Sequence, residues 1–135
     1  MLAPRNPRHR SCQRGHYGGL RGNTTRLAWG DYGLVATSGG RITARTLEAV
    51  RRVFRRQFRR TGRLWIRVFP DTPVTRKPLE SRMGKGKGTV DHWEARVAAG
   101  HVLYEMDGVA PELVHLAART AGMKLPVGVR LVARD

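Results

Sequence analysis

Residues 43–62 read "TARTLEAVRRVFRRQFRRTG", and the architecture turns on this stretch. Leu47, Val50, Phe54 and Phe58 recur at spacings of three and four, which lays one apolar stripe along a helix. Thr43 suits the N-cap and Gly62 the C′ position. Roughly 17 helical residues make a rod of about 25 Å. The other faces carry Arg51, Arg52, Arg55, Arg56, Arg59 and Arg60. Charge runs are ordinarily solvated faces. Here, however, six arginines have no acid at i±4 inside the run, and like charges at that spacing destabilise a helix in isolation. A polyanion resolves the conflict, so one side of the rod is read as core and the other as a nucleic-acid contact.

The whole chain supports that reading. Its 135 residues fit one domain. Lys plus Arg is 26 against 10 Asp plus Glu, a net charge of +16, which calls for a polyanionic partner. The charge is lopsided: residues 1–70 hold 16 arginines, no lysine and two acids, Asp31 and Glu48, whereas residues 71–135 hold 10 basic and eight acidic residues. The first half is therefore the anion-binding half. No stretch approaches the ~20 apolar residues of a spanning helix, so no membrane partner is expected.

Upstream, residues 1–30 lack acids and carry six arginines with closely spaced prolines and glycines. That composition disfavours a helix and reads as an extended basic arm. Its Arg5, Arg8, Arg10, Arg14 and Arg21 are candidate nucleic-acid contacts, and residues 31–135 form the domain. The single cysteine, Cys12, excludes an internal disulfide. His9, Cys12 and His16 have ligand-like spacing, but flanking arginines make a poor cation site; no metal or other cofactor is expected.

The remaining elements are an α+β set. "GLVATSGGRIT" (33–43) reads as strand, Gly-Gly turn and re-entry. "LWIRVF" (64–69) alternates with period two and is stopped by Pro70, and "DTPVTRKPLES" (71–81) is a proline-punctuated connection. "DHWEARVAAGHVLYEM" (91–106) reads as two strands joined by an Ala-Gly turn. "PELVHLAARTAGMKLP" (111–126) is a second helix, with Leu113, Leu116, Ala117 and Met123 able to share a face. "VGVRLVAR" (127–134) closes as a strand. The expected fold is a single α+β domain with mixed or antiparallel strands and two packed helices.

Between strand regions lies "RMGKGKG": Arg82, Met83, Gly84, Lys85, Gly86, Lys87 and Gly88. It is not a Walker loop. Taking Gly84-Lys85 or Gly86-Lys87 as the closing pair puts Leu79 or Ser81 at the first glycine, and no Ser/Thr follows. A strand rather than a helix comes next, so no helix N-terminus is available for phosphate. His92 beside Asp91 and Glu94 has no nucleophile in a motif context, and no enzyme is read here. What remains is a thin, cationic loop whose glycines let the backbone approach phosphates while lysine supplies point charges.

"GDYGLVA", "GGRITARTLEAVRR", "RLWIRVFPDTPVTRKP", "RMGKGKG" and "VLYEMDGV" occur in this order, and together they closely resemble large-subunit ribosomal protein sixteen of the bacterial and organellar type. "MLAPRNPRHR" resembles its start, and the similarity is weakest over residues 11–28 and after 126. The resemblance implies a hammerhead-type α+β fold embedded in large-subunit (23S-type) rRNA, beside neighbouring large-subunit proteins. It also implies that Arg82–Gly88 points toward A-site and P-site tRNA near the peptidyl-transferase region, with the chemistry left to RNA. Trp29 stands where the family often has phenylalanine. Gly122 interrupts a usually alanine-rich helix, at a cost of roughly 1 kcal/mol against alanine. Arginine bias and a family-like Met1 incline the reading to an organelle-encoded, mitochondrial copy over a bacterial one. The competing readings are a free-standing RNA- or DNA-binding chaperone and an NTP-using enzyme with an atypical loop.

Overall fold

The computed structural model describes residues 2–17, 19 and 22–134. Its elements in chain order are α1 (Gly22–Thr25), β1 (Tyr32–Ala36), β2 (Gly40–Thr43), α2 (Ala44–Gln57), β3 (Arg63–Ile66), β4 (Thr72–Arg76), β5 (Thr89–Val97), β6 (Val102–Asp107), α3 (Pro111–Gly122) and β7 (Val129–Ala133). They form two antiparallel sheets, one ordered β3-β6-β1-β7 and the other β2-β5-β4, with α2 and α3 packed together. The expected α+β domain with two packed helices is what the chain builds.

The apolar stripe of α2 is the centre of the core. Leu47, Val50, Phe54 and Phe58 are all buried to 1% exposure or less. Phe54 meets Phe58 and Tyr104 with ring centroids 5.7 and 5.4 Å apart. The Tyr104 hydroxyl donates to the Leu47 carbonyl at 2.8 Å, so β6 and α2 are joined by a buried polar contact as well as by packing. One apolar cluster takes side chains from both sheets, including Leu34, Ala36, Ile42, Ala95, Val97 and Met106, and from α3.

Several expectations need correction. Thr43 does cap α2, its side chain accepting from the Thr46 amide at 3.2 Å, but the helix ends at Gln57 with Phe58 as C-cap. Arg59 and Arg60 therefore lie outside it, in left-handed backbone (φ 47° and 72°). Phe58 must stay in the core while its carbonyl accepts from the Thr61 amide and hydroxyl, and the chain has only a few residues to turn into β3.

The two expected hairpins are instead corners between sheets. β1 pairs with β6 and β7 while β2 pairs with β5, and β5 and β6 likewise belong to different sheets. Their turns lie side by side, with the Gly100 amide donating to the Ala36 carbonyl at 2.6 Å and the Ala36 amide to the His101 carbonyl at 2.9 Å. β4 sits inside the stretch read as a connection; Pro73 is tolerated because β4 is an edge strand. On α3 the buried face is Val114, Ala117, Ala118 and Ala121, whereas Leu113, Leu116 and Met123 are exposed. Leu113 and Leu116 border a groove with Val53 and Arg56 of α2. Gly122 is the last residue of α3, so it does not interrupt the helix and the interior penalty does not apply.

The outer face of β6 carries the structure's main polar lock. Glu105 is completely buried and accepts from the backbone amides of Ala28 (3.1 Å), Trp29 (2.7 Å) and Gly30 (2.9 Å) and from the Arg67 guanidinium. Arg67 also donates to the Asn23 carbonyl at 2.7 Å. Burial pushes the Glu105 carboxyl up, but the amides of Gly30, Trp29 and Ala28 and then Arg67 outweigh it and hold the group below its ordinary range. Residues 23–30 are thereby fastened across the four-stranded sheet.

Glu105→Gln should cost about 3–5 kcal/mol, since it leaves Arg67 with no charge partner. A carboxyl with a depressed folded pKa gives stability that is present above its unfolded value of about 4.3 and lost as the pH falls through the lower folded value. In urea melts the gap between wild type and variant should therefore be full near pH 7 and shrink below about pH 4. A gap of constant size down to about pH 3 would contradict the assignment.

Candidate nucleic-acid interface

The arginine face of α2 is real but not uniform. Glu48, one turn before the run, bonds Arg51 at 2.7 Å and Arg52 at 3.3 Å. The Arg51 hydrogen bonds above all hold its carboxyl down to about 2 against the opposing effect of burial, with a smaller contribution from the Arg52 hydrogen bond. The expectation that the arginines lack an acidic partner thus fails for these two: Glu48 precedes the run, and i+3 and i+4 from it fall on Arg51 and Arg52. Arg55 and Arg56 are exposed in the last turn, where cations complement the helix C-terminus. Arg59 and Arg60 are exposed just past the end, so the cationic surface continues around the helix terminus.

In the arm, Arg5, Arg8, Arg10 and Arg14 are all exposed, while Arg21 lies outside the described residues. The arm is in contact with the domain. Arg41 of β2 donates to the carbonyls of Arg14 (3.2 Å) and Gly15 (2.9 Å) and stands over the Tyr17 ring at 5.8 Å. Leu2 packs against the core.

The 82–88 loop leaves the three-stranded sheet between β4 and β5. Lys77 Nζ donates to the Gly84 carbonyl at 2.6 Å, propping the loop from its base. Lys87 Nζ donates to Ser11 Oγ at 2.8 Å, so the arm and the loop meet. Lys85 sits at φ 55° between Gly84 (φ 92°) and Gly86 (φ 91°); around both glycines the space is open. Gly88 differs: a Cβ there would lie 2.5 Å from the Arg76 carbonyl oxygen. It is therefore part of the β4–β5 packing and not a spacer. Met83 is 95% exposed at the tip.

His92 is bracketed by Asp91 (2.7 Å) and Glu94 (2.9 Å), which raise its pKa, Asp91 most. Among the described residues no group of three or more His, Cys, Asp or Glu side chains is arranged to hold a metal ion, and no helix is long and apolar enough to cross a membrane. Sequence reasoning missed Lys77 as the loop's prop. It also missed the Glu105–Arg67 lock; its one visible signal is a lone carboxylate in the apolar run "HVLYEM" (101–106).

Two glycine substitutions separate the loop's tip from its base. Gly88→Ala should lower the melting temperature more than Gly86→Ala, because a backbone carbonyl must move. Gly86→Ala meets no atom and carries only the left-handed penalty of about 1–2 kcal/mol. The reverse order in thermal melts would show that the loop base is not held by this contact.

Residues 4–132 match the family model described as ribosomal protein L16p/L10e. The chain is 52% identical over 134 residues to the large ribosomal subunit protein uL16 of Halorhodospira halophila, covering 99% of this chain and 98% of that protein. It is 54% identical over 127 residues to the protein of the same name from Dichelobacter nodosus, covering 94% and 93%. Both organisms are bacteria, so these relatives give no support to the mitochondrial reading. Matched over nearly its whole length, the chain belongs to the ribosomal protein L16p/L10e family.

Proposed function

We propose that this chain is a structural constituent of the large ribosomal subunit, held by large-subunit rRNA and reaching toward tRNA with its 82–88 loop. The observation that carries the reading is the match over residues 4–132 to relatives named as large-subunit proteins. The charge layout supports it: exposed arginines of the arm and of the α2 terminus share one half of the sequence. Arg55, Arg56, Arg59 and Arg60 meet rRNA phosphates, with Arg5, Arg8, Arg10, Arg14 and Arg21 extending the contact. Arg51 and Arg52 serve partly to neutralise Glu48. The role is positional and not catalytic. Neighbouring large-subunit proteins complete the surroundings. A free-standing chaperone would use the same cations but would not stay with the subunit.

Sedimentation tests the main claim: the native protein should remain with the large subunit through a moderate-salt wash, and release into the free fraction would favour the chaperone. For the isolated chain on rRNA, engagement of about six to ten phosphates predicts a roughly 10³–10⁵ loss of affinity between about 50 and 200 mM salt. Changing Arg55, Arg56 and Arg59 together to Gln should flatten the slope by about one unit per lost contact. An unchanged slope would mean that this surface faces solvent.

The loop has its own test. Lys85→Ala should weaken A-site tRNA binding on assembled ribosomes while subunit incorporation stays normal, since surface substitutions usually move stability by less than about 0.5 kcal/mol. Lys87→Ala should add some loss of arm attachment through Ser11. Lost incorporation with intact tRNA binding would make the loop an rRNA anchor instead.

A further inference from the structure

Trp29 is 57% exposed, yet the backbone around it is fixed on several sides. The amides of Ala28, Trp29 and Gly30 all donate to buried Glu105. The carbonyls of Leu27 and Ala28 accept from Arg134 Nη2 at 3.5 and 3.0 Å. The Arg67 guanidinium lies against the indole, 4.9 Å from the ring centroid, and is itself held by Glu105 and the Asn23 carbonyl. Trp65 stands beside it with centroids 6.3 Å apart and planes tilted by 34°. Covering the Arg67–Glu105 pair accounts for one side of the indole. It does not account for the exposed remainder, which the fold holds out on an immobilised segment.

The surroundings select the occupant. Arg26, Arg63 and Arg134 are exposed nearby in chain or sheet order. Among the described residues, the acids on the same elements are Asp31, buried Glu105 already consumed by its lock, and Asp107 opposite Arg63. A flat π surface among guanidinium groups is how proteins hold unpaired bases, the ring stacking and the cations meeting the flanking phosphates. Because the segment is already ordered, little entropy is lost when a base arrives.

We propose that Trp29 is a stacking platform for an unpaired nucleobase of large-subunit rRNA, with Arg67 as its rigid backing and Arg26, Arg63 and Arg134 for the adjoining phosphates. The proposal rests on the rRNA-binding reading above and adds a site to it, separate from the α2 arginines and from the loop.

The test uses the full chain with Trp65→Phe and Trp93→Phe, which leaves Trp29 as the sole tryptophan, titrated with deproteinised large-subunit rRNA. Stacking should quench the Trp29 emission in step with binding. In the otherwise natural chain, Trp29→Ala should weaken binding by about tenfold to a hundredfold, with Trp29→Phe restoring most of it. The salt slope should hold, because a stacked base releases no counterions. Binding with unchanged Trp29 emission and no loss in Trp29→Ala would overturn the platform while leaving the rRNA reading intact. Emission that responds only when extracted large-subunit proteins are added would overturn it in favour of a protein neighbour. No binding of the natural chain to rRNA would overturn the parent reading and the platform together.

Discussion

A single buried carboxylate organises the outer side of this protein. Glu105 sits on β6, a central strand of the four-stranded sheet, where an unpaired charge would be costly. Three backbone amides and one guanidinium remove that cost, and all of these partners but Arg67 come from the segment before β1. The requirement therefore runs in both directions: the sheet can bury Glu105 only if residues 28–30 arrive, and those residues gain their place only because Glu105 awaits them. Charge satisfaction in the core thus becomes chain placement on the surface, and the exposed Trp29 is a by-product of that placement.

The cations divide into two populations with different work. Arg67, Arg41 and Arg134 bind carbonyls and a carboxylate of their own chain, fastening irregular backbone that no ladder supports. Arg55, Arg56, Arg59 and Arg60 extend from the end of α2 and are exposed. Net charge alone does not distinguish the two groups, yet the first is partly spent on its own chain whereas the second is available in full to an outside polyanion. Glu48 draws the boundary within α2 itself by engaging Arg51 and Arg52.

What the sequence disclosed follows the range of the interactions. The α2 stripe was legible because its periodicity is local, and all four core residues named from it are buried. Strand positions were legible too, but strand partners were not: alternation in 33–43 and 91–106 is the same whether a turn closes a hairpin or carries the chain to another sheet. Prolines concealed β4, since a proline is excluded only from interior strands. On α3, leucines at 113 and 116 outweighed alanines in any apolar count, although Ala117, Ala118 and Ala121 are the residues small enough for a close approach. The Arg67–Glu105–Trp29 cluster joins residues separated by 38 and 76 positions, beyond any window-based pattern. The loop was visible as a motif, whereas the need for Gly88 at its base depends on the Arg76 carbonyl across the hairpin.

The corners between the sheets have a mechanical consequence. In chain order the strands pass from the four-stranded sheet to the three-stranded one and back, changing sheet between β1 and β2, between β2 and β3, between β3 and β4, and between β5 and β6. A plate joined to another along one seam can swing about it; a plate stitched back and forth through the same core has no free axis left. The lysine loop grows from the three-stranded plate and the arginine helix packs against both plates, so the reach and aim of the loop are inherited from wherever the helix is seated. Anchoring and aiming become one geometric act.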